Sequence, residues 1–283
     1  MKRPQLITAF FGICLVALLY FFGKTEASKK STAPQTENLS AIKAVSFYNE
    51  DSALAEAKLK ISSEQVLRLN ELENTISRGD VNDQQLKVYH QLAHFWGDSA
   101  RIFEPYAWYE AQAARLENSE KTLIFAARLF LEGVRQENDP KKRKWKAFQA
   151  KDLYERSLSI NPSNDSALVE LGISHIYGGI SETPMEGIEK IRKVLDKDST
   201  NIYALMTLAD ASIFSGQYDK AIERLKKVNG LEPANLDAIL KLADVYTMTG
   251  NKKEAIDWYN KSLSLIKRPD WKQEVEKRIS ELK

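Results

Sequence analysis

The 283-residue chain carries one cysteine, three histidines, eight prolines and no excess of either charge. Each shortage closes a class of explanation. Cys14 stands alone inside an apolar N-terminal run, so the chain has no internal disulfide framework and no cysteine-based zinc site. Formal net charge is +2, from 41 basic and 39 acidic side chains, and no global field draws the molecule to nucleic acid. The 12 glycines form no strand-linked phosphate loop and no nucleophile elbow, and no carboxylate pair stands out from ordinary helix-surface charge. The chain therefore reads as a non-enzyme with no cofactor and no metal. Strand-type alternation is also missing: from Ala41 onward apolar residues recur near every 3.6 positions, which makes the body all-α.

What the N-terminus does have is a long uncharged run. Leu6 to Gly23 is 18 residues, about 27 Å as a helix at ~1.5 Å per residue, close to the thickness of a bilayer core. Residues 1–23 read as an uncleaved signal-anchor, with the membrane crossed by residues 6–23. Cleavage is the alternative, but signal-peptide apolar regions are shorter, about 7–15 residues, and Thr25, Glu26 and Ala27 make a poor processing site. Lipid attachment at Cys14 is disfavoured by Ile13, which stands where a small residue is needed. Lys2 and Arg3 on one side face Lys24, Lys29 and Lys30 on the other, so the positive-inside rule decides little. The very short leading tail favours an exported body. In a bacterium that is an inner-membrane protein whose repeats face the periplasm. Residues 24–40, polar and interrupted by Pro34, read as a flexible linker, and 41–80 as one or two helices with Ser63 as a cap.

The body repeats itself. "FSGQYDKAIERLKKVNGLEPAN" from Phe214 and "MTGNKKEAIDWYNKSLSLIKRP" from Met248 lie 34 residues apart. Leu205, Leu208, Ala209, Gly216, Ala221, Ile222 and Leu225 fall over Ile239, Leu242, Ala243, Gly250, Ala255, Ile256 and Tyr259 without a gap. Ala209 with Ala221, and Ala243 with Ala255, are small enough to let two antiparallel helices approach. Gly216 and Gly250 sit where a first helix must stop and turn, and Pro233 ends a hairpin. Upstream, the pattern continues through Leu168, Leu171 and Gly172 with Gly187, Ile191 and Val194, then Leu123, Ala126, Ala127 and Phe130 with Ala150 and Tyr154. It fades at Leu92, Ala93 and Trp96 with Ala107, Ala111 and Ala114.

These residues resemble the tetratricopeptide repeat. The resemblance implies an all-α, right-handed superhelical solenoid of about five hairpins, at 83–119, 120–164, 165–201, 202–235 and 236–269, with a capping helix at 270–283. Two departures are visible. "DPKKRKWK", Asp139 to Lys146, sits in a join about eleven residues too long and reads as a solvated turn, and Lys267 stands where proline is expected.

The resemblance also implies a groove lined by the first helix of each hairpin. Its N-terminal half is basic and titratable, with Lys87, His90, His94, Lys121 and Arg128. Its C-terminal half mixes Glu170, Asp210 and Asp244 with Tyr177, Tyr203, Met206, Phe214 and Met248. The lysine and asparagine clamp that some relatives use for terminal carboxylates is not reproduced, and Met and aromatic residues favour an adaptable apolar contact. His90 and His94 share a helical face, but "HQLAH" has neither the glutamate of a zinc hydrolase nor an evident third ligand. The implied role is a membrane-tethered scaffold that binds a protein or peptide, as a docking or assembly factor of the cell envelope. The alternative is a structural homo-oligomer joined through aromatics such as Trp258 and Trp271, and a cell-wall enzyme is a distant third.

Overall fold

Asparagine starts four of the helices in the same way, and the first of them is Asn49, which accepts from the Ser52 N–H at 3.0 Å. The side chains of Asn164, Asn201 and Asn235 accept hydrogen bonds from the backbone N–H of Ala167, Ala204 and Ala238 at 2.9, 3.0 and 3.0 Å. Each thereby satisfies a donor that the first helical turn leaves without a partner. The computed structural model describes residues 47–76, 82–181 and 183–283, all within one unit, Phe47–Lys283. The apolar run at 6–23 and the linker at 24–40 lie outside the described residues. Among the described residues, no helix is long and apolar enough to cross a membrane.

Thirteen α-helices follow in order among these residues: α1 Glu50–Lys58, α2 Ser63–Ile76, α3 Asn82–His94, α4 Phe103–Glu117, α5 Glu120–Gln136, α6 Pro140–Ile160, α7 Asp165–Gly178, α8 Met185–Lys197, α9 Ile202–Phe214, α10 Tyr218–Leu231, α11 Leu236–Met248, α12 Lys252–Leu263 and α13 Pro269–Leu282. A single π-helical turn, Phe95–Ser99, extends α3. Five antiparallel pairs, α3/α4, α5/α6, α7/α8, α9/α10 and α11/α12, stack in sequence, and α13 packs on the last. First helices also touch the next pair's first helix, α5 on α7 and α7 on α9. The core is accordingly a relay: one cluster spans α1 to α4, the next α4 to α9 with Ala53 of α1, the next α9 to α12, and the last α11 to α13. This is the helical-repeat architecture that the sequence implies.

The crossings are tight. Ala209, Ala221, Ala243 and Ala255 are all fully buried. Between α7 and α8 the approach is closer still: a Cβ on Gly172 would meet the Gly187 carbonyl oxygen at 2.7 Å, and one on Gly187 would meet the Gly172 carbonyl closer than that. Gly216 and Gly250 adopt φ of +72° and +77°, the left-handed region that ends α9 and α11.

Two local expectations need correction. The α2 cap is Ser62, one residue before Ser63, in a reciprocal box: Gln65 N–H donates to Ser62 Oγ at 3.2 Å and Ser62 N–H to Gln65 Oε1 at 3.0 Å. The "DPKKRKWK" stretch is no solvated turn. Asp139 caps α6, Pro140 opens it, and the surplus length goes into helices of 17 and 21 residues. Lys142 bonds Glu56 of α1 at 2.6 Å, and Lys146 is buried between Glu104 at 2.9 Å and Glu137 at 2.8 Å. Burial alone would push the Glu137 carboxyl up, but the Lys146 ammonium and the Asp139 N–H outweigh it and hold it below the usual carboxylate range. Two helices, α1 and α2, precede the repeats among the described residues, and α1 packs on α4, while Tyr48 meets Trp145 edge-on at 5.5 Å.

His175 lies beside the α7/α8 crossing, buried, with Nδ1 2.9 Å from Ser181 Oγ and 3.1 Å from Glu186 Oε2, and with Nε2 unpartnered. Burial, then the nearby Lys190, holds its pKa below the ordinary histidine value despite Glu186. The unfolded chain therefore takes up this proton first, near an unfolded pKa of about 6.5, and the stability His175 contributes is present above that pH and lost below it. Denaturation at about pH 7.5 and about pH 5.5 should show lower stability at the acid end, and His175→Gln should flatten the difference. The glycines give a second check. Gly187→Ala should cost about 1–3 kcal/mol despite gaining up to ~1 kcal/mol of helix propensity. Gly230→Ala, where an added Cβ meets nothing within 4 Å, should be neutral or stabilising in the same urea titration.

Candidate partner-binding face

Residues three, four and seven apart on a helix share one face. On α9 that stripe is Tyr203, Met206, Asp210 and Phe214. It continues onto Arg128 of α5, Glu170 and Tyr177 of α7, and Asp244 and Met248 of α11. Most of the charges in this set hold one another. Arg128 Nε reaches both oxygens of Glu170 at 3.0 and 3.1 Å, tying α5 to α7. Lys241 of α11 bonds Asp210 of α9 at 2.7 Å and Asp237 at 3.1 Å. Arg278 of α13 reaches Asp244 of α11 at 3.1 Å, and Tyr259 donates to the same carboxylate. Between α7 and α9, where no such pair stands, the Tyr177 and Phe214 rings meet edge-on at 5.3 Å. A rung of charge or aromatic contact therefore joins each first helix from α5 to α11 to the next, and α11 to α13.

Glu170 is the rung's most enclosed member, its side chain only 10% exposed. Tyr154 is fully buried, and burial followed by the Glu170 carboxylate pushes its phenol up. Tyr203 is shifted the same way for the same two reasons. The hydrogen bond to Glu170 comes first in raising the Arg128 guanidinium above its usual value. The charges are thus largely satisfied, and the side chains left open on this face are apolar: Tyr203 at 41%, Met248 at 58% and Phe214 at 72% exposure.

The basic N-terminal residues are arranged differently. Lys87 and Lys121 are exposed and make no ion pair among the described residues. His90 faces Glu117 at 3.7 Å and His94 bonds Asp98 at 2.9 Å, each imidazole next to a carboxylate. Glu110 lies between these groups, its carboxyl pushed up by burial and by Glu117 while both histidines pull it down. Among the described residues no cluster of His, Cys, Asp and Glu has the makings of a metal site.

Sequence reasoning missed the partners Lys241, Arg278 and Tyr259. A signal was there: Asp244 and Arg278 occupy the same repeat position, 34 residues apart, with opposite charge.

The tetratricopeptide repeat family model matches residues 215–273, from the end of α9 into the first turn of α13. No curated protein matches the chain. Among solved structures, a tetratricopeptide repeat protein from Parabacteroides merdae aligns at 15% identity and TM-score 0.50, covering 77% of this chain and 80% of that one. PilW, described as a widely conserved type IV pilus biogenesis factor, aligns at 19% identity and TM-score 0.48 over 70% and 85% of the two chains. YrrB, described as a repeat protein with an unusual peptide-binding site, aligns at 15% and 0.43 over 73% and 97%. The Parabacteroides likeness is one of fold, and the family match covers residues 215–273, the part of the chain that holds Ala221, Ala243 and Ala255 and the turn glycines Gly216 and Gly250.

Removing Arg128 leaves Glu170 nearly buried without its cation. Arg128→Ala should cost about 1–3 kcal/mol in urea denaturation. Lys241→Ala, between two more exposed carboxylates, should cost no more than about 1 kcal/mol.

Proposed function

We propose that this tetratricopeptide-repeat chain is a non-enzymatic, membrane-tethered scaffold that binds a protein or peptide, as a docking or assembly factor of a bacterial cell envelope. The observation that carries the reading is the α9–α11 face, where Tyr203, Phe214 and Met248 stand open among charges already held by neighbouring helices. A face whose polar groups are mutually satisfied and whose apolar groups are not loses little on desolvation and gains apolar burial. Because the rungs hold the helices in place beforehand, a partner pays little ordering cost here. The tether rests on the uncharged run at residues 6–23, followed by the polar segment 24–40 as a spacer. The exported orientation rests on the short N-terminal tail. The non-enzymatic reading rests on the lack of any catalytic motif in the sequence.

One observation favours a second reading, a self-associating oligomer at the membrane: Trp271 on the terminal helix is 49% exposed. Light scattering on the purified chain separates the two, since a monomer at working concentrations removes the oligomer.

Reporters fused after Lys283 that work on only one side of the membrane should be active on the exported side; cytoplasmic activity would overturn the localisation. On the binding face, a photo-crosslinker at Tyr203 should give one discrete adduct in cells. The Phe214→Ser, Met248→Ser double variant should lose that adduct at least tenfold with its melting temperature within about 4 °C of the parent, as exposed sites allow. An undiminished adduct in that variant would remove this face as the binding site.

A further inference from the structure

The side of α9 turned away from the Tyr203–Phe214 stripe lines a cavity of about 380 Å³, shared with α8 and α10. Leu208 and Ala211 come from α9, Met185 and Ile188 from α8, so part of the wall is apolar. Arg192 of α8 and Lys220 and Arg224 of α10 line the same space. None of the three makes an ion pair among the described residues. This contrasts with the opposite face, where Arg128, Lys241 and Arg278 all have carboxylates within 3.1 Å.

Arg224 is held in place without being neutralised. Its Nη1 donates to Ser212 Oγ at 2.6 Å, and Ser212 in turn donates to the Leu208 carbonyl at 2.8 Å. Burial holds the guanidinium below its usual pKa; the nearby Glu223 carboxylate pulls it back up, and the positive charge of Arg192 adds a smaller push down. Lys220 donates to the neutral Gln217 amide at 2.7 Å. Two guanidiniums and an ammonium thus line a partly apolar space, and among the described residues the side chains that Lys220 and Arg224 bond are neutral. Like charges so placed repel, and the arrangement is stabilised by an anion that enters between them. The volume is near the lower end of ligand sites, about 300–1,000 Å³, and suits one or two side chains.

We propose that this cavity is a second recognition site, which takes an acidic segment of a partner protein, its carboxylate on Arg192, Lys220 and Arg224 and an adjacent aliphatic side chain against Leu208 and Ile188. A carboxylate meets the planar guanidiniums with paired, charge-assisted hydrogen bonds. The apolar wall asks for more than a bare anion, which favours a peptide over inorganic phosphate. The site lies on the opposite face of α9 from the one assigned above, and either assignment can fail without the other.

The test titrates the 283-residue chain with a blocked tetrapeptide of two aspartates flanked by leucines, with the same peptide carrying asparagines, and with inorganic phosphate, read by calorimetry. The aspartate peptide should bind at least tenfold more tightly than the asparagine peptide and more tightly than phosphate. Arg192→Gln and Arg224→Gln should each weaken it at least tenfold. Arg192→Gln should also keep or raise the melting temperature, since it removes an unpaired like charge; this excludes unfolding as the cause of lost binding. Equal binding of the two peptides, or parental affinity in both arginine variants, would overturn the site. Phosphate binding that matches or exceeds the aspartate peptide and depends on the same arginines would overturn the peptide as its occupant.

Discussion

Two helices can lie as close as these do only where neither carries a side chain larger than a methyl at the crossing, and everything else in the molecule follows from that spacing. Ala209 with Ala221, Ala243 with Ala255, and Gly172 with Gly187 set it in three successive pairs. At a short interaxial distance the large neighbours, Leu205, Leu225, Leu242 and Tyr259, fill the grooves between pairs instead of the gap within a pair. The core then becomes a relay along the stack, with no single centre. Because each pair meets only its neighbours, the first helices are brought side by side, and their exposed residues fall into rungs. Widening one crossing would shift those helices and stretch the 3 Å ion pairs across them, although no groove residue had changed.

The parts of the fold that were legible in the sequence are those in which a repeated constraint leaves a repeated residue. A crossing that needs alanine needs it each time, and a turn that needs positive φ selects glycine each time; Gly216 and Gly250 show both the residue and the conformation. What was missed depends on partners distant in sequence. "DPKKRKWK" looks like a solvated charge run because its local composition does not tell that Glu56, Glu104 and Glu137 converge on it from other elements. Even there, Asp139 followed by Pro140 is a helix-start signature, and Ser62 with Gln65 is a capping box. Both carried more local information than the charge count did. The π-helical turn at Phe95–Ser99 and the buried His175 left no comparable mark.

The candidate face shows the same division. The stripe on α9 was readable from helical periodicity, but whether Asp210 or Asp244 is free or held is a question about the next repeat. Arg128, Glu170, Asp210 and Asp244 have a structural role, since each already bonds a neighbouring helix. Selectivity on that face then falls to shape and to aromatic and methionine contact, which adapts to more than one partner geometry.

The two sides of α9 are built on opposite electrostatic terms. On one, each cation between neighbouring helices has a carboxylate, and the charge stiffens the stack. On the other, Arg192, Lys220 and Arg224 share a cavity and make no ion pair among the described residues, although Glu223 is near enough to influence Arg224. Stacking alone rewards pairing, and a repeat that only had to stack would gain stability by it. Local rules of stability are most often broken where a protein meets something else. The unpaired side is for that reason the stronger indication of a ligand, even though the paired side is the one that the repeat pattern draws attention to first.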